Sequence, residues 1–159
     1  MSYRNLAKGR FSSENQIYFI TTVIHKRRKL FVDLALCRNI ILQMKRLNDE
    51  NHVESIAWVI MPDHVYWLFT LKTDYDLATV MKKFKGRSSR KLNLLLGTKG
   101  TFWQHTYYDH ALRKGGDIKK VARYIVANPL RAGLVERIED YPHWDAIWLE
   151  RVVRLIPSN

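Results

Sequence analysis

The sequence predicts an α+β domain built on an antiparallel sheet, and three observations support this prediction. The stretch 55–71 has two apolar runs on either side of a Pro-Asp turn, the pattern of a β-hairpin. The stretch 17–24 is rich in aromatic and β-branched residues and predicts a further strand. Apolar residues recur at helical spacing after Asp33 and after Asp76, and each aspartate is a suitable N-cap.

The elements follow one another as strand, helix, strand, strand, helix, strand, and a third helix follows the last strand. Their predicted bounds are strand 17–24, helix 34–49, strands 56–61 and 64–71, helix 77–96, strand 107–112 and helix 118–128. The first six elements make the βαββαβ pattern of a ferredoxin-like sandwich, an antiparallel sheet with helices on one face. We expect one domain over 1–159, with a basic leader at 1–15 and an extension at 136–159 that packs back.

The charge of the chain favours a polyanionic partner. Its 159 residues include 27 lysines and arginines against 15 acidic residues, a net charge of +12. Nucleic acid is the usual partner of so basic a domain, although such a charge also serves solubility. The absence of an apolar run of about 18 residues predicts no membrane span, and the single Cys37 excludes an internal disulfide. These features indicate a cytoplasmic protein, associated with the nucleoid if DNA is the partner.

Two groups of cations are candidates for contacts with phosphates. One follows the first strand, and the other lies on the second helix, where six cations occur within ten residues without an acid. Either group fits a DNA-binding surface or an ordinary solvated face. The candidate DNA-binding residues are Lys26, Arg27, Arg28, Lys82, Lys83, Lys85, Arg87, Arg90 and Arg113.

The candidate chemistry lies on the second hairpin strand and the third helix. Because side chains alternate along a strand, His64 and Tyr66 share a face. Tyr124 and Asn128 are four residues apart and share a helix face. A tyrosine at such a helical position is most often a core residue. It can also attack a phosphodiester when a divalent cation polarises the phosphate, and His64 and Asn128 are candidate ligands for such a cation.

Three motifs resemble those of the REP-associated tyrosine transposases, which are single-tyrosine HUH nucleases. They are WVIMPDHV at 58–65, WQ at 103–104 followed by DHALR at 109–113, and YI at 124–125 followed by NPLRAGLV at 128–135. The similarity runs from about 17 to 144 with the motifs in order. It implies a ferredoxin-like fold and a monomeric endonuclease and strand transferase that acts on single-stranded or hairpin DNA with Mg²⁺ or Mn²⁺.

The resemblance also implies roles for individual residues. Tyr124 attacks a backbone phosphate and forms a 5′-phosphotyrosine link. His64, the residue at position 66 and Asn128 surround the metal. Asp63 and His110 are expected to support the metal-binding groups without binding the metal themselves. On physical grounds His110 could instead contact DNA or form a structural polar pair with Asp109.

Position 66 departs from the family pattern, because it holds tyrosine where the family has a second histidine. A neutral phenol is a poor ligand for Mg²⁺. Either the site binds metal through His64, Asn128 and water, or the chain binds hairpin DNA without cleaving it. A further hypothesis is that Tyr66 acts as a second nucleophile. Another is that the chain is an RNA-binding domain, but the central strands lack the paired exposed aromatic residues that such domains use.

Overall fold

The computed structural model describes residues 15–72, 75–113 and 116–146. Nearly all of the predicted leader and the last part of the predicted extension, 147–159, lie outside these ranges. The strands are β1 (Ile17–Val23), β2 (Val53–Met61), β3 (His64–Leu71), β4 (Tyr108–Leu112) and β5 (Trp144–Ala146), and the helices are α1 (Leu34–Asp49), α2 (Leu77–Leu96), α3 (Gly116–Val126) and α4 (Asn128–Arg131). Two 3₁₀ turns cover His25–Arg27 and Ile138–Asp140.

The strands form one antiparallel sheet in the order β4-β1-β3-β2-β5. The first four strands have the order of a ferredoxin-like sheet, so the predicted fold is confirmed. β5 was not predicted as a strand. It lies in the stretch expected to pack back onto the domain, and it does so by pairing with β2, with Val59 opposite Trp144.

The two predicted N-caps start α1 and α2. Asp33 Oδ1 accepts a hydrogen bond from the Ala35 amide at 2.8 Å, and Asp76 Oδ1 accepts one from the Thr79 amide at 2.7 Å. Each carboxylate satisfies an amide that has no partner within its helix. α2 ends at Gly97, whose φ of 67° is readily adopted only by glycine.

Helices cover both faces of the sheet. α1 and α2 pack against the side chains of Trp67 and Phe69, whereas α3 packs against Leu68 on the opposite face. The prediction of helices on one face therefore holds for α1 and α2, and the C-terminal helix covers the other. None of the helices in the described ranges has the length and apolar character needed to cross a bilayer.

The end of α3 differs from the prediction. The helix was expected to continue to about residue 128 and stop near Pro129, but it ends at Val126 and the short helix α4 begins at Asn128. Proline suits the first turn of a helix because the amide it lacks would have no partner there. Asp117, predicted as the N-cap, lies within the first turn of α3.

Candidate active site

His64 is oriented by the residue that precedes it. Its Nδ1 lies 2.6 Å from Asp63 Oδ1, and Arg27 Nη1 lies 3.3 Å from the other oxygen, Oδ2. Nε2 of His64 is buried and has no hydrogen-bond partner among the described residues. A carboxylate on one ring nitrogen and a free second nitrogen are typical of a histidine that binds a metal or a substrate.

The Asp63 carboxylate is held in its charged form. Burial by itself would raise its pKa, but hydrogen bonds and charge interactions with His64, and then with Arg27, keep the pKa below the usual value. Asp63 is therefore a hydrogen-bond acceptor for His64 at neutral pH. This geometry fits the supporting role that the resemblance implied.

Tyr66 lies at the centre of an aromatic cluster built from three elements. Its ring centroid is 4.8 Å from that of His64, 5.4 Å from Phe19 on β1 and 5.9 Å from Tyr124 on α3. Phe19 also contacts Tyr124 at 6.2 Å. The fold thus brings together the predicted residues His64, Tyr66 and Tyr124. Sequence reasoning missed Phe19, although its position between the buried residues Tyr18 and Ile20 indicates that it faces the other way.

The environment of Tyr66 keeps its phenol neutral. Burial raises its pKa, and interaction with the Tyr124 hydroxyl raises it further, while Asn128 and Arg131 act in the opposite direction. Since an ordinary phenol already titrates near 10, Tyr66 is protonated at physiological pH. A neutral phenol is a hydrogen-bonding group and a poor ligand for a hard cation.

Tyr124 is accessible, and Asn128 is enclosed next to it. Tyr124 is 46% exposed, whereas Asn128 is 9% exposed and its buried Nδ2 has no hydrogen-bond partner among the described residues. The Tyr124 ring packs beside Tyr66, and Asn128 is near enough to influence the pKa of the Tyr66 phenol, although α3 and α4 are separate helices. The structure therefore places the candidate nucleophile at the open side of the cluster.

Arg131 belongs to the same site, and sequence reasoning assigned it no role. Its guanidinium carbon lies 3.9 Å from the centroid of the Tyr124 ring, and Nη2 donates a 2.6 Å hydrogen bond to the Tyr124 carbonyl. Tyr124 and Arg131 are seven residues apart, or two helical turns, and this spacing could have indicated that they share a helix face.

The residues of the site supply few ligands for a metal. Within the described ranges, no three His, Cys, Asp or Glu side chains are close enough to hold an ion together. His64 offers a buried Nε2 without a partner in the described ranges, and the side-chain oxygen of Asn128 is the second candidate ligand, whereas Tyr66 does not fit as a third. This set fits a cation such as Mg²⁺ that obtains its other ligands from water and a phosphate.

His110 and Arg113 lie at the edge of the sheet. His110 pairs opposite Phe19 in the β4-β1 register and therefore projects from the same face as the aromatic cluster. It is exposed, as is Arg113, which follows β4.

Four of the five predicted cations of α2 separate into two groups, and the fifth, Arg90, is exposed. Lys83 and Arg87 point toward α1, where Arg87 pairs with Glu50 at 2.6 Å. Lys82 and Lys85 instead line a groove of about 360 Å³ on the other side of α2. Lys85 Nζ also donates to the carbonyls of residues 104 and 105, and burial lowers its pKa.

The loop cations lie nearer the aromatic cluster. Arg27 is tied to Asp63, and Arg28 donates to the carbonyls of residues 101 and 102. Lys26 is exposed. The backbone N–H of Gln104 donates a hydrogen bond to the Val23 carbonyl, and Val23 lies opposite His64 in the β1-β3 register. The groove and the site around His64 therefore lie at the same end of the sheet.

Comparison with protein families identifies the chain. A family model described as "Transposase IS200 like" matches residues 12–128. The chain belongs to this family. The REP-associated tyrosine transposase of Escherichia coli (strain K12) is 26% identical to it over 136 residues, which cover 84% of this chain and 78% of that protein. The resemblance that the sequence predicted is confirmed, and the function of this family member is of the transposase type, with DNA as its partner.

Solved structures confirm the fold. The structure of a REP-associated tyrosine transposase bound to a REP hairpin superposes with a TM-score of 0.74 at 23% identity, and the match covers 94% of this chain and 87% of that one. A Deinococcus radiodurans protein, crystallised as a candidate transposase, gives a TM-score of 0.54 at 18% identity, covering 73% and 93%. The IS200-like family member described here thus has the α+β fold of these proteins.

Proposed function

We propose that this chain nicks and rejoins single-stranded DNA that carries a REP-type hairpin, with Tyr124 as the nucleophile. The observation that supports this most directly is the position of Tyr124, an accessible phenol on α3 whose ring contacts the cluster that begins at His64. The relatives add support, because one is named for REP elements and one was solved with a REP hairpin.

The proposed reaction is a transesterification and needs no external energy source. The Tyr124 oxygen forms a bond to phosphorus as the bond from phosphorus to the 3′ oxygen of the preceding nucleotide breaks. The phenolic proton is lost, and the 3′ oxygen leaves as a hydroxyl, so that atoms and charge balance. Because a phosphodiester is exchanged for another phosphodiester, the 3′ hydroxyl can reverse the step and rejoin the strand.

We propose that Mg²⁺ or Mn²⁺ binds through His64 and Asn128. When bound, the ion would neutralise negative charge on the phosphate. Asp63 holds His64 with Nε2 available, and Tyr66 remains a neutral hydrogen-bond partner beside the nucleophile. His110, at the edge of the same face, is proposed to support this site or contact the DNA.

We propose that the DNA backbone follows the cations at this end of the sheet. Lys82 and Lys85 border the groove. Of the loop cations, Arg27 contacts Asp63 beside His64, and Arg28 contacts the carbonyls of groove residues 101 and 102. Lys83 and Arg87 point away toward α1, so they are the weaker members of the predicted set. The other proposed contacts are Lys26, Arg27, Arg28, Arg90 and Arg113.

A second candidate function is hairpin binding without cleavage. The observation that favours it is Tyr66, a protonated phenol where the family has an imidazole. A phenol in this state provides no strong metal ligand, so the chain would keep its DNA surface and lose the cleavage step.

Covalent capture of DNA distinguishes the two functions. The purified chain is incubated with an end-labelled single-stranded oligonucleotide containing a REP-type hairpin, with Mg²⁺ or Mn²⁺, and separated on a denaturing gel. We expect a protein–DNA adduct that Tyr124→Phe abolishes and Tyr108→Phe, at the exposed edge strand, does not. If wild type forms no adduct and Tyr66→His forms one, the binding function is correct and the cleavage function is wrong.

A further inference from the structure

The strongest unassigned feature near the aromatic cluster is the guanidinium of Arg131. The hydrogen bond to the Tyr124 carbonyl and the stacking on the Tyr124 ring fix its position on two sides. A fixed cation therefore lies directly over the proposed nucleophile.

This cation has no acidic partner among the described residues, unlike several other arginines of the chain. Arg27 pairs with Asp63, Arg87 with Glu50 and Arg137 with Glu139. Arg131 makes none of the ion pairs in the described ranges, and its one hydrogen bond there uses Nη2. A guanidinium carries five N–H donors in a planar fork, so the others remain for a ligand.

We propose that Arg131 binds the phosphate that Tyr124 attacks. The inference rests on the proposed function and names a substrate-binding residue for it. A planar guanidinium suits two phosphate oxygens, and charge-assisted hydrogen bonds of this kind are the strong ones. Because the guanidinium lies against the Tyr124 ring, Arg131 would supply positive charge next to the phosphate that Tyr124 attacks. Its contact with the Tyr124 ring would bring phosphate and nucleophile together.

The competing explanation is that Arg131 only stabilises the end of α3. Arginines in the last turns of helices commonly bind free carbonyls. Such a role would affect stability but would leave the contact with the phosphate unchanged. The matched control is Arg137→Ala, because Arg137 is also exposed and cationic but pairs with Glu139.

Salt dependence of binding tests the contact without cleavage. Binding of the hairpin oligonucleotide is measured in a Tyr124→Phe background, which keeps the ring under the guanidinium. One lost phosphate contact should reduce the slope of log K against log salt by about 0.7 for a single strand. We expect this reduction for Arg131→Ala and not for Arg137→Ala, and Arg131→Lys should keep the slope. Equal slopes for Arg131→Ala and Arg137→Ala would overturn the inference.

The rate of adduct formation at saturating DNA then tests the place of the contact. We expect Arg131→Ala to lower this rate by about ten- to a hundredfold, the loss for a charge-assisted hydrogen bond, with Arg131→Lys between it and wild type. A normal adduct rate for Arg131→Ala would overturn the inference alone. No adduct with wild type would instead overturn the proposed function, and with it the statement that Arg131 contacts the attacked phosphate.

Discussion

The two faces of β3 have opposite characters. Val65, Trp67 and Phe69 are all 0–1% exposed and pack under α1 and α2. On the other face, His64 and Tyr66 are only half-buried, since α3 covers the sheet incompletely there. One strand thus serves a closed apolar core on one side and an open polar site on the other. The closed face provides stability, which allows the open face to keep buried polar atoms without partners, such as His64 Nε2.

The largest effect in the comparison is expected on the closed face. Phe84 is fully buried and its ring lies 5.2 Å from that of Trp67. Phe84→Ala should lower the free energy of unfolding by about 3–5 kcal/mol, because it removes buried apolar surface and leaves a cavity. Urea unfolding measures the loss. Tyr124→Phe on the open face, a change of one hydroxyl on a half-exposed ring, should change stability by about 0.5 kcal/mol or less.

The adduct assay tests whether Phe84→Ala, which lowers stability, leaves the reaction at Tyr124 unchanged. At a temperature where Phe84→Ala is still folded, its adduct rate should equal that of wild type, since Phe84 lies on the other side of the sheet from Tyr124. A stable Phe84→Ala protein with no adduct would show that the two faces are coupled. That result would contradict the division of roles.

On the open face, we expect the loss of one charge to impair function even when the packing of side chains is unchanged. Asp63→Asn keeps the size of the side chain but removes the charge that orients His64. We expect adduct formation and Mn²⁺ affinity to fall about 10- to 100-fold, the usual effect of losing the partner of a ligating histidine. Electron paramagnetic resonance of free Mn²⁺ measures the affinity independently of cleavage.

Arg27→Gln is the matched control for Asp63→Asn. It breaks the 3.3 Å pair with Asp63 and leaves the 2.6 Å contact between Asp63 and His64 in place. We expect a smaller loss than for Asp63→Asn. If both variants lose metal affinity equally, the external ion pair orients His64 as much as the direct contact does.

Most of the fold could be predicted from local patterns. The caps at Asp33 and Asp76 and the period-2 hairpin are each decided by neighbours in sequence, and the structure confirms them. β5 was missed because three residues carry little periodicity and their pairing with β2 depends on distant contacts. The end of α3 was placed two residues late because proline can begin a helix as well as stop one.

The site was predictable only in part for the same reason. Alternation placed His64 beside Tyr66, and helical spacing placed Tyr124 near Asn128. Local patterns could not show that these two pairs of residues lie together, because that depends on tertiary structure. Only the family resemblance implied that they form one site. Strand alternation and a seven-residue spacing could indicate the faces of Phe19 and Arg131, but not which rings they contact, because those contacts depend on the folded chain.

The smallest expected effect is on the pH dependence of stability, through His52, which contacts α2 on the closed side of the sheet. His52 is buried, its Nε2 lies 3.2 Å from Lys83 Nζ and 3.6 Å from Glu50 Oε1, and Arg87 bonds the same carboxylate. Burial lowers the pKa of His52, and Lys83 lowers it further, while Glu50 partly opposes them. The unfolded chain therefore takes up a proton near pH 6.5, where the folded chain does not.

This difference predicts that stability falls as the pH drops below about 6.5, since the unfolded state binds more protons there. One such group contributes at most about 1.4 kcal/mol per pH unit. Between pH 7 and 5.5 the carboxylates stay ionised, so the unfolding free energy in urea should lose part of its pH slope in His52→Phe. Lys83→Met should lose less of it, because burial, the larger cause, persists. An unchanged slope in His52→Phe would show that His52 is protonated alike in both states and that the closed face is insensitive to pH.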